Sequence, residues 1–184
     1  FRPSVFDRSV FLRRDSLYRI RNHTITLSRL VNLGTFKFVR GQFRPVRDSD
    51  MLDVKLLLTP YPKRSLQVDL TGNSRSNNYV GSQLSLSAKN RNWLRAADLL
   101  ELSISGGFEV QVGGGKQRIN NNAYNFKAGA SVMIPKFYVP GFHIRPATPY
   151  VPHTRFGINY EFLRNPGLYD LNGFNLQFGY LWKQ

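Results

Sequence analysis

The residues of this chain with the means to do chemistry are few, and their spacing does not gather them. The three histidines are His23, His143 and His153, and no short spacing joins any of them to acidic residues in a zinc-binding pattern. They read as ordinary surface or loop histidines. Asp69, Glu101, Glu109 and Glu161 fall in strand-like segments. A glycosidase-type pair would need two of them within a few Å of one another, and polar strand positions account for them without any reaction. Gly113-Gly114-Gly115-Lys116 has the look of a phosphate loop, but lacks the spaced first glycine and the Ser or Thr after the lysine. It reads as a glycine-rich connection. No dinucleotide fingerprint or nucleophile elbow is present. Asn22-His23-Thr24 fits the glycosylation pattern, which would carry no such meaning were the protein bacterial. No residue is therefore assigned a catalytic, cofactor-binding or metal-binding role, no cofactor is expected, and the chain is not expected to be an enzyme.

Basic residues are the remaining candidates. Arg13, Arg14, Arg19, Arg21 and Arg29 lie close together in sequence, but they make no single stripe with interleaved aromatics of the kind nucleic acid would require. A solvated face or contact with lipid headgroups suits them better, and no nucleic-acid partner is expected. The formal net charge is +15. Residues 1–64 hold 14 Lys or Arg against 5 Asp or Glu, and residues 65–184 hold 12 against 6, so the first third is the more basic by density. Such a field favours an anionic neighbour. Hydrophobic residues make up 41% of the chain, enough for a core. There is no cysteine, so neither a disulfide scaffold nor thiolate chemistry is available. The start of the chain lacks the apolar run of a signal peptide. No stretch of ~18 apolar residues exists, so no transmembrane helix is expected; a membrane β-barrel stays open because its strands signal weakly.

The elements that would position these residues divide near residues 60–64. Before that point the pattern is mixed. Residues 10–13 read as a short extended piece. Residues 23–33 read as a helix with Asn22 as N-cap, Leu27, Leu30 and Val31 on one face and Gly34 just past its end. Thr24 and Thr26 weaken its start. Residues 36–46 read as a strand with Phe36, Phe38 and Phe43 inward. A turn over Arg47-Asp48-Ser49-Asp50 leads to a second strand with Leu52, Val54, Leu56 and Leu58 on one side. A short helix on a small sheet is the economical outcome.

Beyond Arg64 no helix is expected. Six strands are, at residues 65–73, 80–89, 98–112, 122–135, 154–163 and 172–182. Each alternates apolar with small or polar residues, as in Leu66, Val68, Leu70 or Phe174, Leu176, Phe178. Connections are expected at residues 73–78, 113–122 and at Asn165-Pro166-Gly167. Residues 135–152 hold five prolines and read as a loop or edge excursion. Gly106-Gly107 interrupts the third strand without changing its phase, which leaves two options: one strand too long for a bilayer alone, or a bend in a soluble sheet.

These segments together resemble the Omp85 superfamily of outer-membrane assembly proteins, especially the TamA/BamA-like (TamL-like) proteins of Bacteroidetes. Tyr18, Thr24 and the run Arg29-Leu30-Val31-Asn32-Leu33-Gly34-Thr35-Phe36-Lys37-Phe38-Val39 look like the second helix and following strand of the last POTRA domain. Leu52-Asp53-Val54-Lys55-Leu56-Leu57-Leu58-Thr59-Pro60 looks like the strand closing it. Gly81 and Asn90-Arg91-Asn92-Trp93-Leu94-Arg95-Ala96-Ala97-Asp98 resemble the family's first barrel hairpin. Ile134-Pro135-Lys136-Phe137 with Pro140 resembles a proline-bearing strand end, and Pro152-His153-Thr154 the start of the next strand.

The resemblance implies a fold class: an α+β POTRA-like domain followed by antiparallel transmembrane β-barrel strands, incomplete in this chain. Residues 1–62 would be the periplasmic POTRA-like domain and residues 63–184 the N-terminal strands of an outer-membrane barrel. It implies an insertion factor that templates client strands at a barrel seam. Its gate strand would be Ser65, Leu66, Gln67, Val68, Asp69, Leu70, Thr71 and Gly72. A POTRA edge at Phe36, Lys37, Phe38, Val39 and Arg40 would also take client strands. The implied partners are unfolded outer-membrane protein clients, outer-membrane lipids and other subunits of an assembly complex. Family barrels resemble sixteen-stranded ones, so six strands imply part of a longer protein or a truncated form. The alternatives are another outer-membrane barrel, porin-like or a barrel enzyme, and a soluble β-rich binding protein.

Overall fold

Pro3 sets the φ of a first helical turn without needing a backbone N–H there, and a seven-residue helix, α1 (Pro3–Ser9), starts on it. The computed structural model describes residues 1–74, 76, 78–112, 122–139, 148–166 and 168–183. The expected features at Gly113 to Lys116, Pro140, His143 and Gly167 lie outside the described residues. Helix α1 was not anticipated; its two inward residues, Val5 and Ser9, are too short a pattern to register as a period.

Helix α2 (Ile20–Asn32) begins three residues earlier than expected. Asn22 is inside it and is not its N-cap; that position is Arg19, which makes no side-chain cap. The threonines that argued for a later start are accommodated by bonding backwards. Thr24 Oγ1 donates to the Ile20 carbonyl at 3.0 Å and Thr26 Oγ1 to the Asn22 carbonyl at 2.7 Å. The other end is as expected: Gly34 has φ +67°, and its N–H bonds to the Val31 carbonyl.

Strands β1 (Phe36–Pro45) and β2 (Leu52–Pro60) form a two-stranded antiparallel sheet across the expected turn, where Asp48 has φ +60°. Phe36 is buried, but Phe38 is exposed, contrary to the expected inward pair. The register shifts between Phe36 and Phe38. An extra residue moves every later side chain to the opposite face, so Val39, not Phe38, packs toward the core.

The remaining six strands are β3 (Arg64–Ser74), β4 (Tyr79–Arg91), β5 (Leu99–Gln111), β6 (Ala123–Ile134), β7 (His153–Asn165) and β8 (Tyr169–Leu181). Each pairs antiparallel with the next, in sequence order, as one meander. The sheet is open, with β3 and β8 at its two edges. Pairing runs through Gly106 and Gly107 without a register shift on either side, so β5 is one continuous 13-residue strand, about 44 Å at ~3.4 Å per residue. Residues 90–98 end β4 and lead into β5, which makes them the sheet's second connection and not its first.

The buried core does not lie in the large sheet. It is formed by Val5, Leu30, Leu33 and Phe36 from the first elements, with Ala97 from the β4–β5 connection and Val151 from the segment before β7. The N-terminal elements therefore sit against one end of the six-stranded sheet, the end at which β3 begins.

Candidate functional site

Directly opposed residues in an antiparallel pair share a face, so the register assigns every side chain of the sheet. One row across all six strands is Leu66, Ala88, Leu102, Ala130, Ile158 and Leu176; the next is Val68, Leu86, Ile104, Ala128, Tyr160 and Phe174. The opposite face carries Ser65, Lys89, Glu101, Ser131, Gly157 and Gln177, then Gln67, Ser87, Ser103, Gly129, Asn159 and Asn175. One face is apolar from edge to edge. The other is polar and rich in small residues.

The apolar face is the open one. Leu66 is 72% exposed, Phe174 77% and Leu176 79%. On β4, Leu84 and Leu86 are exposed while the intervening Ser85 and Ser87 are half-buried. This inverts the order found in water, where the covered face of a sheet is the apolar one. Soluble monomers rarely leave a contiguous apolar patch beyond a few hundred Å² uncovered. The face suits an apolar surrounding.

The polar face is crowded and charge-paired. A Cβ added at Gly81 would lie 2.6 Å from the Phe108 carbonyl oxygen, and one at Gly129 2.6 Å from Asn159 Oδ1. Lys89 Nζ lies 3.2 Å from Glu101 and Lys127 Nζ 2.7 Å from Glu161, both between directly opposed residues. Asp69 accepts from Gln67 Nε2 at 3.1 Å, and Glu109 accepts from Asn73 Nδ2 at 3.1 Å. These four carboxylates thus share the polar face, each held by a cross-strand or neighbouring donor; a fifth, Asp170 at the start of β8, stands at the far end of the apolar face, 3.8 Å from Arg164. Glu101 and Glu161 stand in different rows.

The residues singled out as a gate strand, Ser65 to Gly72, fall on β3, an edge of the sheet, and every residue of that strand is exposed. One side of its backbone pairs with β4; among the described residues, no strand pairs with the other. β3 contains no proline, and its apolar residues all face outward, so it presents a regular backbone template. The other edge is β8. The residues singled out as a second edge, Phe36 to Arg40, begin β1. There the bulge interrupts regular pairing, Phe36 is committed to the core, and Lys37 Nζ sits 5.3 Å from the Phe38 ring centroid.

His23 and His153, the two histidines among the described residues, do not meet. His23 hydrogen-bonds through Nδ1 with the Tyr18 hydroxyl at 3.0 Å and packs on Phe43, with ring centroids 4.5 Å apart. His153 starts β7. The described residues contain no cluster of three or more His, Cys, Asp or Glu able to hold a metal. The arginines separate as well. Arg14 pairs with Asp15 at the surface, at 3.6 Å. Arg29 is buried, which lowers its pKa from the ordinary arginine value by desolvation. Its guanidinium donates to the carbonyls of Thr148 at 2.7 Å and Tyr150 at 3.3 Å and lies over the Phe11 ring.

Arg29 belongs to a junction that sequence reasoning missed. Asn32 Nδ2 donates to the Pro149 carbonyl, the Arg2 N–H to the Arg95 carbonyl at 2.7 Å, and Thr35 Oγ1 to the Ala97 carbonyl. One of the two receiving segments, residues 92–98, is braced by its own hydrogen bonds. Asp98, almost wholly buried, accepts from the N–H groups of Leu94 and Ala96, and Asn92 Oδ1 accepts from that of Ala97. Asn92, Arg95 and Ala97 all have positive φ. An Asn and an Asp six residues apart around a turn was the available signal, but the partner residues lie too far along the chain to be inferred. The link between the two sheets is also fastened: the Tyr61 N–H donates to the Thr35 carbonyl and the Arg91 N–H to the Lys63 carbonyl.

No protein-family model matches the chain, and no curated protein matches it. Among solved structures, the chain is similar to BamA from Haemophilus ducreyi lacking POTRA domains 1–3. The TM-score is 0.41 and the identity 12%, over 95% of this chain and 40% of that one. The chain spans less than half the length of that structure.

Proposed function

We propose that this chain is part of an Omp85-type outer-membrane assembly protein of the TamA/BamA-like kind, close to the TamL-like proteins of Bacteroidetes. Residues 1–62 are its POTRA-like periplasmic domain, and residues 63–184 open its barrel. The observation that carries the reading is the inverted sheet: an apolar face exposed on all six strands opposite a polar, charge-paired face. That is the arrangement of a membrane barrel wall, with lipid outside and water in the lumen. Strands of 11–13 residues meet or exceed the ~9–11 needed to cross. A porin-like barrel would account for the sheet, but not for an α+β unit fastened to one end of it.

The work is non-covalent. The open edge of β3 offers hydrogen bonds to an unfolded client strand, and the outward row of Leu66, Val68 and Leu70 sets the client's apolar side toward lipid. Further strands of the same protein close the barrel on the far side, since an open edge is not stable in lipid. Beyond its bulge, β1 offers a second edge for clients in the periplasm.

The test is client insertion into lipid vesicles by the full-length protein. Val68→Pro removes a donor from the β3 edge. It is expected to slow insertion at least tenfold, and more than Leu176→Pro in β8. Equal loss from both substitutions would remove the case for a special gate strand. Stable monomeric behaviour of the protein in buffer without detergent would sink the membrane reading itself.

A further inference from the structure

Where the N-terminal elements meet the sheet lies a cavity of about 340 Å³. Four cations line it besides Arg29: Arg2, Arg8 and Arg13 from the first segment, and Lys136, whose ammonium lies 5.0 Å from the Tyr138 ring centroid, from the connection after β6. Arg29 also borders it, but its guanidinium is engaged with carbonyls. Asp7 is the one acidic residue of the lining. The wall is otherwise largely apolar, and two of its residues, Ile134 and Phe137, connect it to the outside of the sheet. Ile134 shares its face with Val132 and opposes Thr154 on β7; Phe137 packs on Tyr180 and Trp182, with ring centroids 5.7 and 6.3 Å away. The cavity thus has a cationic side toward the N-terminal elements and an apolar side on the outward face. It sits beside an aromatic rim of Tyr138, Tyr150 and Trp182, where Lys136 and Lys183 lie over tyrosine rings. Rims of this kind mark the headgroup level of a membrane.

We infer that this cavity binds the headgroup of an anionic phospholipid, with the phosphate among Arg8, Arg13 and Lys136 and the acyl chains leaving along Ile134 and Phe137. The inference rests on the membrane reading above. A bound lipid would bridge the N-terminal elements and the sheet, holding the junction at the membrane surface. It also gives the excess positive charge of the first third a defined anion.

The experiment uses the full-length protein in neutral detergent, titrated with short-chain phosphatidylglycerol, short-chain phosphatidylcholine or inorganic phosphate. Expected is phosphatidylglycerol binding at least tenfold tighter than phosphatidylcholine. The double variant Arg8→Gln, Arg13→Gln should weaken it by about 30-fold, at roughly fivefold per charge. Lys136→Gln, on the other side of the cavity, should give a smaller loss of the same sign. Equal affinity for the two lipids, or no loss in either variant, overturns the proposal. Phosphate competing as well as phosphatidylglycerol overturns it in favour of a free-anion site. Flotation with pure phosphatidylcholine vesicles separates the two readings: a protein that inserts there yet shows no anionic preference refutes only the lipid site, whereas one that stays soluble refutes the membrane reading.

Discussion

Placing a charge at the centre of the apolar face separates a lipid-facing sheet from a merely exposed one. Ile104 is the best position. It stands on β5, third of six strands, between Leu86 and Ala128, and is 44% exposed. If the face meets water, Ile104→Arg replaces one half-exposed side chain by another and costs within about 0.5 kcal/mol. If it meets hydrocarbon near mid-depth, the cost is about 2–4 kcal/mol. At 1.4 kcal/mol per tenfold, the folded population falls by a factor of roughly 30 to several hundred. Depth can be tested on the same strand. Phe108 lies four residues further along the same face, about 14 Å at ~3.4 Å per residue. A strand tilted by ~45° converts that to about 10 Å of height, close to the edge of a band ~25 Å tall. Phe108→Arg should therefore cost little more than about 1 kcal/mol from charge burial. Ser105→Arg projects to the polar face beside Lys127 and should cost less than Ile104→Arg. The assay is reversible urea unfolding of the full-length protein in lipid vesicles. A cost for Ile104→Arg no larger than for Ser105→Arg would refute the assignment of faces.

The remaining predictions concern how the site is held. Gly81→Ala drives a Cβ to 2.6 Å from the Phe108 carbonyl and should cost about 1–3 kcal/mol, whereas Gly72→Ala meets nothing within 4 Å and should be near neutral. The same unfolding assay checks both. Asp98→Ala strands the N–H groups of Leu94 and Ala96 and should cost about 1–3 kcal/mol in thermal or chemical unfolding. Arg29→Met keeps an apolar stem but breaks the bonds to Thr148 and Tyr150. It should release the N-terminal elements from the sheet, seen as faster protease cleavage between residues 10 and 19 with strand content by circular dichroism retained.

Some of this was written locally. The six strands after Arg64 were readable because alternation is a property of near neighbours, and each expected segment overlaps an observed strand. Gly34 marked a helix end for the same reason, since only the residue and its position in the turn matter. The errors arose where a side chain acts at a distance. Threonine's low helix propensity opposes the first turn of α2, but Thr24 and Thr26 satisfy themselves on carbonyls four residues back. The alternation points Phe38 inward, because the register shift that turns it outward leaves no mark in the hydrophobic pattern. Arg29 looks in sequence like one of a run of surface arginines, yet it is a buried brace whose acceptors lie 119 and 121 residues away.

By itself, then, the sequence determined that this chain makes two-faced strands and carries excess positive charge toward its start. Period-two patterning specifies two faces, but not which of them is covered. The tertiary structure decided that, by leaving the leucine and phenylalanine rows open and crowding the serine, asparagine and glycine rows. It also decided that β3 is an edge, and that Ala97 and Val151 complete a core begun by Val5, Leu30 and Phe36. The core depends on contacts between residues some sixty or more positions apart, and the crowding of one face on contacts between neighbouring strands, such as Gly81 with Phe108 and Gly129 with Asn159, so no local pattern of residue types encodes them.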